Sequence, residues 1–140
     1  MCSNYRPVTS SQRLLQFFGV EAGPERRAGD VFPTGRAPFI RLTREGTESG
    51  EPALLVEDGI FGLLPHFATE LAYGRRTYNA RSETVGKLAS FRLAWQHGQR
   101  CIIPTEQIYE PNWETGKAVR WKIFQAGDVP FGIAGIYRRW

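Results

Sequence analysis

Cysteine is scarce in this sequence: Cys2 and Cys101 are the whole complement. Two thiols cannot build a disulfide scaffold, and both are expected to be free. Histidine is equally scarce, with His66 and His97. These four residues have no paired metal-ligand spacing, which argues against a zinc site, so no metal and no cofactor is expected. No apolar run approaches the length needed to cross a bilayer. The start, Met-Cys-Ser-Asn-Tyr-Arg-Pro, has no hydrophobic stretch behind a basic one and is not a secretory signal. These absences set the expectation of a cytoplasmic protein without a membrane partner, associated with the nucleoid if bacterial. Internal repeats, low-complexity tracts and domain linkers are also lacking.

What is present reads as one folded domain. The chain has 140 residues, 41% hydrophobic and 23% charged, enough to bury a core. Fifteen Gly and nine Pro favour turns and short strands over a helical bundle. A net charge of +4 and a pI near 9.4 suit a polyanionic partner such as nucleic acid.

Local pattern predicts an extended Cys2–Val8 segment, then a helix over Thr9–Phe18 capped by Thr9 or Ser10 and stopped by Gly19. Val31–Pro33 and Phe39–Leu42 read as strands, and Thr43–Pro52 as a polar turn. Ala53–Glu57 and Ile60–Leu63 read as a hairpin around Asp58-Gly59. Pro65–Tyr78 is irregular and Lys87–Trp95 helical. Arg100–Pro104, Gln107–Glu110, Val119–Phe124 and Phe131–Ile136 read as four further strands. The sum is a single α+β domain of short, mostly antiparallel strands with two helices. The chain stops at Trp140, just after an apolar strand, which suggests a truncated domain or part of a longer one.

Three segments carry candidate chemistry. Removal of Met1 leaves Cys2 with a free α-amine and a thiol on one residue, both partly nucleophilic at neutral pH. An aldehyde meeting this pair forms an imine, and the thiol then closes a five-membered thiazolidine. The alternative is an ordinary small residue near the terminus. In Asn79-Ala80-Arg81-Ser82-Glu83-Thr84, the amide of Asn79 and the guanidinium of Arg81 suit a phosphate or an opened sugar. The same run also reads as a helix N-terminus capped by Ser82 or Thr84. In Arg100–Pro111, Glu106 and Glu110 are either general acid/base candidates or solvated charges at strand ends.

Read together, these segments resemble the SRAP family, the SOS-response-associated peptidases or abasic-site processing proteins. The resemblance rests on Met1-Cys2, Gly62-Leu63-Leu64-Pro65, Asn79–Thr84, Arg100–Pro104 with Tyr109-Glu110, and Phe131–Ile136, in that order. It implies a partly open, barrel-like fold with flanking helices. It also implies crosslinking to abasic sites in single-stranded DNA through a thiazolidine on Cys2, in the DNA damage response. Glu110 matches the family's catalytic Glu, which assists proton transfers. Asn79 and Arg81 match residues that hold DNA, and the implied DNA-binding set is Asn79, Arg81, Phe61, Pro65, Arg6 and Asn4. Autocatalytic removal of the initiator Met explains the peptidase label. A monomer is expected.

The sequence departs from the family in three places. Ser3-Asn4 stand where the family has Gly-Arg, with Arg6 nearby; Phe61 replaces a Trp; and the family's catalytic His lies beyond the last residue here. Neither His66 nor His97 takes that role, so the expectation is a domain lacking the family's C-terminal portion. Two other classes fit part of the pattern. One is an amidotransferase with an N-terminal Cys nucleophile. The other is a non-catalytic single-stranded DNA-binding module stacking bases on Phe61, Phe67, Tyr73, Tyr78 and Trp113.

Overall fold

The longest strand is laid down by Arg100–Asn112, here β4, whose Cys101-Ile102-Ile103 and Ile108-Tyr109 runs favour extended backbone. In the computed structural model, which describes residues 3–44 and 50–140, β4 is the spine of a six-stranded antiparallel sheet. The other strands are β1 (Asn4–Pro7), β2 (Arg36–Thr43), β3 (Ala53–Ile60), β5 (Val119–Ile123) and β6 (Phe131–Ile136). One edge of β4 meets β1 along Thr105–Tyr109 and β2 at Cys101 and Ile102. Its other edge meets β6 along Arg100–Thr105 and β5 along Ile108–Asn112. β3 lies outside β2, in register from Arg36 opposite Ile60 to Thr43 opposite Ala53. The sheet does not close, and the architecture is α+β with few helices. Among the described residues no helix is long and apolar enough to cross a membrane.

Each face of the sheet has its own cluster. The first helix, α1 (Ser11–Phe18), packs on one face. The Ser10 hydroxyl accepts from the Arg13 backbone N–H at 3.4 Å, and Gly19 ends the helix at φ 67°. Leu14 is fully buried there with Val8, Val20, Ala22 and Ile40, and Phe18 and Val56 pack around them. Arg13 ties the helix to β4 by donating Nε to Glu106 Oε1 at 2.8 Å and an η nitrogen to Oε2 at 2.7 Å. On the opposite face Tyr5, Val31 and Ala37 cluster with Phe61, Ile103 and Ile108. Here the sheet and the segment from 61 to 96 flank an open trough of about 1420 Å³.

Several sequence expectations need correction. Asp58-Gly59 does not turn a hairpin. Both sit inside β3, where Asp58 accepts from Arg26 Nε at 2.5 Å. A Cβ on Gly59 would stand 2.9 Å from the Phe39 ring across the ladder, so packing places this glycine, not a turn. The real β2–β3 connection falls within the expected Thr43–Pro52 turn, of which residues 45–49 lie outside the described residues. Arg100–Pro104 and Gln107–Glu110 are one strand, not two. Pro104 has no N–H to give to a ladder, and the β1 register slips between Arg6 and Pro7 beside it. The Pro104 carbonyl is still used, accepting from the Val8 N–H at 2.9 Å. Val31–Pro33 contributes only a single bridge, from Val31 to Tyr5. The expected Lys87–Trp95 helix is a run of turns leading into a short helix, α2 (Arg92–Gln96). Its lead-in alternates i−3 and i−4 bonds, as in Lys87 and Leu88 both donating to the Thr84 carbonyl.

Candidate functional site

Strand alternation sorts the candidate residues onto two faces. Asn4 stands opposite Tyr109, Tyr5 opposite Ile108 and Arg6 opposite Gln107. Tyr5 and Ile108 belong to the Phe61 cluster, so Glu110, two residues beyond Ile108, shares that face. Asn4, Arg6, Gln107 and Tyr109 occupy the other face. Cys2 lies outside the described residues. Ser3, the first described residue, donates its hydroxyl to Asn4 Oδ1 at 3.3 Å and directly precedes the rung shared with Tyr109. The chain therefore enters β1 at the Glu110 end of β4.

Aromatic side chains mark the Glu110 face. The Phe61 ring meets Tyr5 edge-on at 5.2 Å and Tyr78 at 5.6 Å. Asn79, next after Tyr78, lines the trough with Tyr5, Phe61 and Ile103; Glu110 and Arg81 stand outside that lining. The segment bearing Phe61 is locked from behind. The Leu63 N–H donates to the Thr77 carbonyl at 3.2 Å, and the Thr77 hydroxyl to the Leu63 carbonyl at 2.6 Å. Gly62 sits at φ 125°, and a Cβ there would overlap the Gly74 carbonyl, so this close crossing requires glycine. Arg81 is exposed, and its carbonyl anchors a turn by accepting from Thr84 and Val85 at 3.1 and 2.8 Å. The helix N-terminus expected at Ser82 or Thr84 does not form; the run leads into turns instead.

Three expected contact residues are placed differently from a simple DNA-facing surface. Pro65 is fully buried and Asn4 is 2% exposed, so both shape the site from within. Arg6 points to the face opposite Glu110, where it donates Nε to Asp30 at 2.9 Å. Glu106 is likewise committed, bound bidentately by Arg13 and not presented as an acid/base group.

Asp30 organises a cluster that the linear sequence does not reveal. Besides Arg6 it accepts from an Arg120 η nitrogen at 3.1 Å and from the Tyr109 hydroxyl at 3.2 Å. The Arg120 guanidinium also lies 3.6 Å over the Tyr109 ring. Burial pushes the Asp30 carboxyl up, but hydrogen bonds from Arg120 and Arg6 outweigh it and hold the group below its ordinary range. The one hint in the sequence is the alternation Val119-Arg120-Trp121-Lys122-Ile123, apolar and cationic by turns. Register sets Trp121 opposite Glu110 and Lys122 opposite Tyr109. Cys101, by contrast, is half-buried on β4, between β2 and β6, where it lines the trough, and desolvation pushes its thiol up to about 12.

Comparison with known proteins agrees with this architecture. The chain is similar to a structure from Bordetella bronchiseptica, with a TM-score of 0.78 and 36% identity, over 96% of this chain and 63% of that one. A structure from Bacteroides thetaiotaomicron shares the fold at a TM-score of 0.71 and 22% identity, over 96% and 59%. Two Bacillus subtilis proteins, the abasic site processing proteins YoqW and YobE, are each 32% identical over 81 residues. That match takes in 57% of this chain and 36% of either relative, so the chain covers about a third of their length. The family model of the SOS response associated peptidase (SRAP) matches residues 1–140. Throughout its described length, then, the chain belongs to the SOS response associated peptidase family.

Proposed function

We propose that this protein processes abasic sites in single-stranded DNA, with Cys2 as the nucleophile once Met1 is removed and Glu110 as the group that moves protons. The observation that carries the reading is the β1–β4 register. It leads the chain that follows Cys2 into the sheet at the Glu110 end of β4. Similarity to proteins named for abasic site processing supports the substrate class.

The chemistry follows from the groups. The ring-opened sugar of an abasic site exposes an aldehyde. The α-amine of Cys2 adds to its carbonyl carbon, and the carbinolamine loses its oxygen as water to give an imine. Glu110 is the group suited to protonate that departing hydroxyl and to take the proton released by nitrogen. The Cys2 sulfur then adds to the imine carbon while its proton passes to nitrogen, closing the thiazolidine. Asn79 and the exposed Arg81 are the candidates for holding the backbone beside the lesion. Phe61 and Tyr78, both half-buried, offer ring surface for a base near the trough, with the core residue Tyr5 packed edge-on against Phe61.

Incubating the purified chain with single-stranded DNA carrying one abasic site tests the reading. A heat-stable protein–DNA adduct is expected, lost in Cys2→Ala and slowed in Glu110→Gln. Intact-mass measurement is expected to show Met1 removed. Retention of Met1 on every molecule would sink the nucleophile. Binding without any covalent product would make the protein a DNA-binding module, and glutamine turnover an amidotransferase.

A further inference from the structure

We propose that β5 is the surface that receives the DNA strand next to the reacting sugar, with Trp121 stacking on a neighbouring base and Arg120 holding a backbone phosphate. This inference rests on the abasic-site reading of Cys2 and Glu110 and adds a flank-recognition surface to it.

Position is the first argument. Trp121 is the cross-strand partner of Glu110. Directly paired residues share a face of the sheet with Cβ atoms about 5 Å apart. Half of the Trp121 surface is open to solvent, and Val119 and Ile123, on the same face, are similarly exposed. An indole left open beside a candidate catalytic carboxylate is a stacking platform that any base can use.

The second argument is charge. Arg120 and Lys122 alternate with these apolar residues and so lie on the other face of β5. Arg120 is stacked on Tyr109 and hydrogen-bonded to Asp30. Two guanidiniums, those of Arg6 and Arg120, share the single Asp30 carboxylate. The cluster keeps a positive excess, and both arginines remain about half exposed. A guanidinium held by one carboxylate and still half open to solvent suits phosphate.

The third argument is the edge. Among the described residues β5 pairs only with β4. A strand of DNA following this edge meets the indole from one face and the cations from the other. These are the two chemistries a nucleotide offers, a base and a phosphate. The same Arg and Lys discourage another β-strand from adding here, because charged side chains blunt an open edge. The chain's net charge of +4 adds attraction for DNA.

The test uses two readouts on the full chain. Fluorescence anisotropy with a labelled, lesion-free single-stranded oligonucleotide is measured across a salt series, and adduct yield is measured with an abasic oligonucleotide. Trp121→Ala is expected to weaken lesion-free binding about tenfold, and Trp121→Phe to restore most of it. Arg120→Ala is expected to lower the slope of log K against log salt by about 1. Unchanged affinity and slope in these variants overturn the inference, as does a wild type that does not bind lesion-free DNA. A change of sedimentation mass in Trp121→Ala overturns it too, by making β5 a contact between copies of the chain. Adduct formation with neutral β5 variants removes only this inference. Binding losses in the variants without any wild-type adduct remove the Cys2 chemistry and leave β5 as a DNA surface.

Discussion

At the scale of single residues, the two cysteines part company. Cys101 is half-buried and its thiol is pushed up to about 12, so at pH 8 it is almost wholly protonated. A disulfide reagent added to native protein at pH 8 is expected to modify Cys101 slowly, and much faster on unfolding in guanidinium. Cys2, as the proposed nucleophile, is expected to react faster in the native state, so peptide mapping at short times should find the label there first. Gly62 makes a second prediction. Its φ of 125° and the crossing with Gly74 leave no room for a methyl group. Gly62→Ala is expected to cost at least about 1–3 kcal/mol in a urea titration, because strain of that size accompanies such backbone alone. Because Phe61 precedes it, the variant is also expected to bind DNA less tightly than its stability alone would dictate.

At the scale of elements, α1 is the piece most plainly written in the chain. Ser10 and Gly19 bracket it, and Leu14 and Phe18 give its inward side, all of which local pattern supplies. Leu14→Ala is expected to destabilise the fold by about 2–5 kcal/mol, the usual cost of emptying a fully buried leucine site. The Arg13–Glu106 pair is about a quarter exposed on each side. A double-mutant cycle on it is expected to return about 1 kcal/mol, the low value reflecting solvent screening. The strands were legible in kind but less so in extent. Gly59 reads as a turn residue until the Phe39 ring across the ladder is seen to claim its space. Pro104 reads as a strand break until its neighbours on both edges of β4 are in view. The motif residues around the site were visible as residue types, whereas the partnership of Trp121 with Glu110 and the meeting of Arg6 and Arg120 on Asp30 depend on register. Local pattern carries no information about register, so those relations emerge only from the folded sheet.

At the scale of the whole molecule, two carboxylates link distant parts and make stability depend on acid. Hydrogen bonds from Arg41 hold the Glu57 carboxyl below its ordinary range against the opposing effect of burial, and Asp30 is held down by Arg120 and Arg6. A group whose carboxyl is lowered in the folded state adds stability above its unfolded value. That stability is lost as pH falls through the folded value. The melting temperature is therefore expected to hold from pH 7 to about 5 and to drop below about pH 4. Asp30→Asn and Glu57→Gln are each expected to start lower at pH 7 and to show a shallower fall. A further consequence comes from the seat of β1, whose ladder lies against β4 with Asn4 opposite Tyr109. This is a contact between the two ends of a long loop, slow to close in any chain. On the ribosome the first strand has no β4 to pair with until the chain through Asn112 has emerged. At roughly 5–20 residues per second, that is a wait on the order of ten seconds. The first strand is thus made early and seated late, its pairing timed by synthesis of the strand that receives it.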